Sequence, residues 1–240
     1  VGLDIGTTKV CAIIGTFNET GSLEIIGVGT TPSRGLRRGV VINIESTVKS
    51  IQNAIESAEL MSGREVHGVT TGIAGGHIEG INSRGVVAVT GRDREISKED
   101  VDRVIDAAKA IVIPMDREVL HVIPQEFIVD QQGGIKNPVG MVGVRLEAEA
   151  HIITGAVTSA QNIVKCVNRA GFKVNDIVLE PLASSKAVLS GDERELGVLL
   201  IDLGGGTTDV LVHLEGAPYH TEVLAIGGEQ VTSDLSIMLK

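Results

Sequence analysis

Asp202-Leu203-Gly204-Gly205-Gly206-Thr207-Thr208-Asp209 follows the apolar run Val198-Leu199-Leu200-Ile201 and precedes another, Val210-Leu211-Val212. Strand, glycine turn and strand make a tight hairpin, and three successive glycines allow positive φ and close backbone approach. Glycine N–H groups with no side chains in the way can ring an anion such as phosphate. Thr207 and Thr208 add hydroxyl donors, and the carboxylates of Asp202 and Asp209 flank the turn where a hydrated Mg²⁺ could be held. A second version opens the chain: Asp4-Ile5-Gly6-Thr7-Thr8-Lys9, between Val1-Gly2-Leu3 and Val10-Cys11-Ala12-Ile13-Ile14. Both begin Asp-aliphatic-Gly and carry a Thr-Thr pair. Lys9 gives the first a cation, and Asp209 stands at the corresponding end of the other. Alone, either stretch is an ordinary hairpin turn. Together, as two facing hairpins, they suit a nucleoside triphosphate with its metal.

The rest of the composition narrows the class. At 240 residues the chain holds one large domain or two smaller ones. Its 42% hydrophobic content fits a soluble globular protein, and no apolar run approaches the ~18 residues of a membrane span. No basic-then-apolar leader is present, and a chain that opens in a strand and stops in a helix reads as a fragment. A formal charge of −10 argues against a nucleic-acid surface, as does an aromatic content of 2%. Cys11 and Cys166 are far apart in apolar patterns and read as buried thiols in a reducing compartment.

Along the chain, residues 10–14 and 23–28 predict antiparallel strands and residues 40–42 a third. Arg34, Arg37 and Arg38 fall in a polar connection, either a solvated loop or a surface for another subunit or an anionic partner. Val48, Ile51, Ile55 and Ala58 recur at helical spacing over residues 44–61, and Gly63 supplies the stop. A strand over 66–74 ends in Gly75-Gly76. Residues 77–150 differ in character: short strands over 86–89, 118–122 and 126–129, and a helix over 98–110 whose Ser97 and Asp100 resemble a capping box. His77 and Glu79 form H-x-E, but no P-C-x-x-C follows, so a zinc deaminase is excluded. Arg84, Arg92 and Arg94 are either solvated or subunit contacts.

The core pattern resumes with a strand over 151–157, a helix closed by Gly171, and a strand over 174–179. Glu180 then precedes a helix with Pro181 suited to its first position. The end of a strand beside a helix N-terminus is a common place for chemistry in α/β sheets, although a carboxylate there can simply face the helix dipole. Residues 191–195 read as a polar turn and hinge. Residues 219–226 read as a strand, and Gly227-Gly228-Glu229 opens a last amphipathic helix with Val231, Leu235 and Met238 on its inner face.

With these residues aligned, the chain resembles the superfamily of ATP-binding proteins that holds actin, the sugar kinases and the heat-shock chaperones. Residues 4–9 look like its first phosphate motif, 202–209 its second, 180–189 the connecting motif, and 227–229 the glycine turn near the adenosine. Within it, Gly72-Ile73-Ala74-Gly75-Gly76-His77-Ile78, Ser83-Arg84-Gly85, His121-Val122-Ile123-Pro124-Gln125 and Glu180-Pro181-Leu182-Ala183-Ser184 resemble the FtsA family of bacterial cell-division proteins. The resemblance implies an α/β, actin-like (ribonuclease-H-like) ATPase fold of mixed sheets flanked by helices. Residues 1–76 and 151–190 would be the first-lobe core, 77–150 the inserted α+β subdomain and 191–240 the start of an incomplete second lobe.

It further implies ATP and Mg²⁺ as ligands. Gly6, Thr7, Thr8, Lys9, Gly204, Gly205, Gly206, Thr207, Thr208, Gly227, Gly228 and Glu229 would contact nucleotide. Asp4 and Asp202 would hold Mg²⁺ through water, and Glu180 would orient an attacking water with at most slow hydrolysis. The expected partners are FtsZ, later division proteins, further copies of the chain, and the cytoplasmic membrane surface at the septum through a C-terminal helix outside these residues. A pilus-assembly ATP-binding protein of the PilM type and a small-molecule kinase are the alternatives.

Overall fold

The computed structural model describes every residue except Arg92. Strands β1 (Gly2–Ile5), β2 (Lys9–Phe17) and β3 (Leu23–Pro32) form an antiparallel run, and their apolar residues obey the period of two that pleating imposes. Leu3, Ile5, Val10, Ala12 and Ile14 are buried on one face. A small hairpin, β4 (Leu36–Arg37) and β5 (Val40–Val41), leads into α1 (Ile44–Ser62). The Asn43 side chain caps α1 by accepting from the Ser46 N–H, and Gly63 ends it in the left-handed conformation at φ 64°. Ile51, Ala54, Ile55 and Ala58 press α1 onto the sheet. The helix sits so close that a Cβ at Gly29 would overlap the Ala54 carbonyl. Strand β6 (Gly68–Ile73) then lies parallel to β1.

Next comes β7 (Glu79–Ala88), α2 (Lys98–Lys109), β8 (Arg117–Val129), β9 (Gln132–Ile135) and β10 (Arg145–Ala156). Their antiparallel sheet has the order β7-β10-β8-β9 and its own core around Ile96, Val104, Phe127, Leu146 and Ala148. Both halves of a capping box join Ser97 and Asp100 at the start of α2. Helix α3 (Val157–Arg169) returns the chain to β11 (Lys173–Leu179), parallel to β6, giving the order β11-β6-β1-β2-β3. Helices α4 (Glu180–Val188) and α5 (Gly191–Leu196) connect to an antiparallel sheet of β12 (Val198–Leu203), β13 (Thr208–Leu214) and β14 (Ala217–Leu224), followed by α6 (Gly228–Met238).

Several expected elements differ. The strands predicted over 118–122 and 126–129 are one, β8, because the chain crosses Pro124 with a bulge: the register skips Gln125 between Glu126–Glu149 and Pro124–Ala150. The strand predicted over 86–89 is the end of the ten-residue β7. Residues 40–42 supply only the second arm of a hairpin apart from the main sheet. The polar turn at 191–195 is helical because Ser190 and Glu193 form another capping box. Strand β10 begins at Arg145, so residue 150 lies inside a continuous strand. Val231, Leu235 and Met238 of α6 are 60%, 53% and 81% exposed, so the apolar side of this helix faces away from the described residues. Arg84 is committed to an intramolecular pair with the buried Glu147, and Arg92 lies outside the described residues.

A polar seam ties β14 to the sheet of β7, β8 and β10. Asn82 Nδ2 donates to the Tyr219 carbonyl at 3.0 Å, and Gln125 Nε2 to the Pro218 carbonyl at 2.8 Å. The Gln125 bulge thus aims that side chain at the neighbouring sheet. His151, buried between them, has Nδ1 2.6 Å from Asn82 Oδ1 and Nε2 2.8 Å from Thr221 Oγ1. Burial, followed by the nearby His220, pushes its pKa down to about 4. The folded His151 therefore stays neutral while an unfolded one protonates below its ordinary 6.5. Stability is full above that value and declines as pH falls toward 4. We expect this group to account for about 2 kcal/mol of the stability lost between pH 7 and 5. Urea titrations of the parent and His151→Gln check it: the variant should show the shallower pH dependence, and equal slopes would contradict a neutral buried His151.

Candidate functional site

The two glycine turns close alike. Gly6 N–H donates to the Lys9 carbonyl at 3.0 Å in the β1–β2 turn, and Gly204 N–H to the Thr207 carbonyl at 2.9 Å in the β12–β13 turn. By this closure Gly6, Thr7, Thr8 and Lys9 correspond in turn to Gly204, Gly205, Gly206 and Thr207. The strand registers agree, with Asp4 opposite Cys11 and Asp202 opposite Asp209. One expectation is corrected here: Lys9 corresponds to Thr207, not Asp209, and the threonine pairs are out of phase. That offset makes the tips complementary. A Cβ on Gly205 would overlap Thr8 Cγ2, and one on Gly206 would stand 2.6 Å from Thr7 Oγ1. The turn with side chains thus fits against the turn without them.

The turn at 227–229 packs on the outside of the second hairpin. A Cβ on Gly227 would overlap the carbonyls of Gly204 and Gly205. Gly228 N–H donates to the Gly204 carbonyl and Glu229 N–H to the Gly205 carbonyl, both at 2.9 Å. Thr208 Oγ1 donates to the Ile226 carbonyl at 2.7 Å. With those groups engaged, Gly228 and Glu229 offer the cleft backbone surface and a carboxylate. The cleft beside the turns has a volume of about 820 Å³, with Thr8, Gly205, Gly206 and Gly227 among its lining residues. Thr232 and Ser236 of α6 line it too, as do Arg37 and Arg38, which the sequence left as either a solvated loop or a surface for another subunit or an anionic partner.

Four carboxylates gather beneath the two turns, from the ends of β1 and β12, the start of β13 and the start of α4. Burial raises the Asp4 pKa, Lys9 opposes that, and Asp202 adds to it. Burial and then Asp202 push Asp209 up to about 7, and its Oδ1 is buried without a hydrogen-bond partner. Glu180 is raised well above the ordinary carboxylate value by burial, then by Asp4, Asp209 and Asp202. Its side chain passes over β6 at Gly72, where a Cβ would stand 2.8 Å from Glu180 Cγ. Ser184 Oγ donates to Asp202 at 2.7 Å, tying α4 to the second hairpin. His121 of β8 accepts from the Leu179 N–H at 3.0 Å, holding the strand end from which Glu180 projects. Ser184, Gly72 and His121 all stand in stretches whose family resemblance was visible, but their contacts are long-range and carry no local signal.

Like charges crowded into a partly desolvated site favour a cation. Among the described residues no group of three or more His, Cys, Asp or Glu side chains is arranged to hold a metal ion by itself. Such a cluster suits a hydrated divalent cation that also touches a ligand. Because Gly205 has no room for a methyl group, Gly205→Ala should separate the tips and weaken anion or nucleotide binding by about 10-fold, the scale of a tight overpacking. Adding Thr8→Ser, which removes the obstructing Cγ2, should recover much of the loss. Titration calorimetry on the full chain decides this, and the fit fails if Gly205→Ala binds like the parent.

Comparison with known proteins follows the same lines. A family model described as "SHS2 domain inserted in FTSA" matches residues 75–154, and one described as "Cell division protein FtsA" matches residues 199–240. The cell division protein FtsA of Borreliella burgdorferi is 57% identical over 240 residues, covering 100% of this chain and 58% of the relative. That of Pseudomonas aeruginosa is 54% identical over 240 residues, covering 100% and 57%, and that of Escherichia coli K12 is 47% identical over 236, covering 98% and 56%. This chain therefore spans just over half the length of those relatives. Among solved structures, a PilM–PilN type IV pilus biogenesis complex superposes at TM-score 0.68 with 17% identity, covering 97% of this chain and 63% of that one. The ethanolamine utilization protein EutJ of Carboxydothermus hydrogenoformans superposes at TM-score 0.54 with 16% identity, covering 100% and 56%. The fold is that of the actin-like ATPases.

Proposed function

This chain belongs to the FtsA family of bacterial cell-division proteins, and we propose that its cleft binds ATP with Mg²⁺ so that nucleotide controls assembly into filaments. The observation that supports this most is the tip-to-tip fit of two hairpins that close alike beside an ~820 Å³ cleft. In this reading Gly6, Thr7, Thr8, Gly204, Gly205, Gly206, Thr207 and Thr208 surround the β- and γ-phosphates, and Lys9 adds a positive charge. The turn at 227–229 borders the nucleoside. Asp4 and Asp202 hold Mg²⁺ through water, because this ion dehydrates reluctantly, and the unpartnered Asp209 Oδ1 fits a cation nearby. When bound, the ion neutralises charge that develops on the phosphates.

Glu180 is placed to orient water toward the terminal phosphate, and hydrolysis otherwise rests on positioning. In this reading turnover is slow and the protein acts as a scaffold rather than a small-molecule kinase. The core of residues 1–76 and 151–190, the insert of 77–150 and the second-lobe start of 191–240 then move about the cleft. In the whole protein this cycle tethers FtsZ filaments to the cytoplasmic face of the membrane at the septum and recruits later division proteins. Membrane contact is made through a C-terminal helix outside these residues. Likeness to PilM is the observation that favours a pilus-assembly role instead. At 17% identity it bears on fold alone, against 57% for an FtsA relative.

The full-length protein with MgATP should sediment with FtsZ filaments and, separately, with anionic liposomes. It should hydrolyse ATP at well below the ~1 s⁻¹ at which ordinary enzymes begin. Sedimentation with neither, together with phosphorylation of a sugar or other metabolite, would replace the scaffold with a kinase.

A further inference from the structure

The polar connection that carries three arginines in sequence contains a tightly built hairpin. Leu36 pairs with Val41 and Arg37 with Val40, leaving Arg38 and Gly39 as a two-residue turn with φ of 50° and 76°. Positive φ at both positions is the geometry of a type I′ turn, which favours Asn or Gly. Arg38 is a long side chain held in the left-handed region, a conformation that needs support from its surroundings. That support is visible. Gly39 N–H donates to Thr7 Oγ1 of the first phosphate turn at 3.2 Å. A Cβ on Gly39 would stand 2.8 Å from the Ala74 carbonyl, and Leu36 is buried in the main core. The hairpin is thus fastened to the first glycine turn at one end and to the core at the other.

Both arginines line the cleft, both are exposed, and among the described residues neither guanidinium has a hydrogen-bond or ion-pair partner. Asp4, Asp202, Asp209 and Glu180 meanwhile cluster beneath the two glycine turns, close enough to raise one another's pKa. A polyphosphate at the turns meets this negative charge and the Glu229 carboxylate of the cleft wall, and among the described residues that line the cleft Arg37 and Arg38 are the cations. The planar fork of Arg matches phosphate oxygens, and the hairpin that carries both arginines is fastened through Gly39 to Thr7 of the first glycine turn.

We propose that Arg37 and Arg38 bind the terminal phosphate of the nucleotide, so that the cleft prefers triphosphate to diphosphate. This rests on the ATP-binding reading of the cleft and adds to it the group that senses the γ-phosphate. Loss of the terminal phosphate on hydrolysis then releases the hairpin from the ligand while leaving it attached to Thr7.

The test is titration calorimetry of the full-length protein with MgATP and with MgADP, for the parent and Arg37→Gln/Arg38→Gln. The variant should bind MgATP about 10- to 100-fold more weakly and MgADP within about threefold of the parent, so that the ATP-to-ADP preference collapses. Equal losses for both nucleotides, or none, would overturn the proposal. A parent that binds neither nucleotide would overturn the reading of the cleft as well, so the two failures are distinguishable. Arg38→Gly supplies a control that keeps the fold: glycine suits φ 50°, so its melting temperature should not fall. Its ATP preference should lie between those of the parent and the double variant, and an unchanged preference would remove Arg38 from the terminal-phosphate contact.

Discussion

Thr7 and Thr8 occupy the space that side chains at Gly206 and Gly205 would need, and this fit between two hairpin tips sets how closely the sheets that carry them approach. The remaining features of the cleft follow from it. Bare backbone at Gly205 leaves its carbonyl open to the Glu229 N–H, which seats the start of α6 against the second turn. On the other side, Thr7 Oγ1 accepts from Gly39 N–H and fixes the arginine hairpin. Three segments far apart in sequence are thus positioned by one pair of turns.

The same approach crowds charge. Asp4, Asp202, Asp209 and Glu180 cluster beneath the turns, where burial and mutual repulsion raise three of them above their ordinary values. Such a cluster is ill at ease alone and well suited to a cation with an anion above it. Ser184 links Asp202 to α4, and His121 holds the start of α4 from the inserted sheet. The insert also grips β14 through Asn82, Gln125 and His151. It therefore touches both the strand that leads into Glu180 and the sheet that carries the second glycine turn, a short physical route between the turns and a distant surface.

Much of this was legible in the chain because the signals are local. Alternation in β1 and β2, the helical spacing of Ile51, Ile55 and Ala58, the left-handed stop at Gly63 and the capping box at Ser97 each act within a few residues. What could not be read depends on register or distance. The Thr-Thr pairs look equivalent as text, yet the turn hydrogen bonds place Thr7 and Thr8 opposite glycines. Residues 118–122 and 126–129 read as two strands, but neighbours on both sides carry β8 through Pro124. Val231, Leu235 and Met238 have the spacing of a buried stripe and lie exposed, since spacing says nothing of whether a partner is at hand. Arg37 and Arg38 read either as a solvated loop or as a surface for another subunit or an anionic partner, because the contact that fixes their hairpin, Gly39 with Thr7, spans thirty-two positions.

The most direct measurement is a crystal structure of the full-length protein with Mg²⁺ and a non-hydrolysable ATP analogue. The phosphates should lie between the turns at 6–9 and 204–207, ringed by their N–H groups, with the metal ion on the side of Asp4 and Asp202. Phosphates bound elsewhere, with the two turns still packed tip to tip, would mean that the hairpins are structural alone.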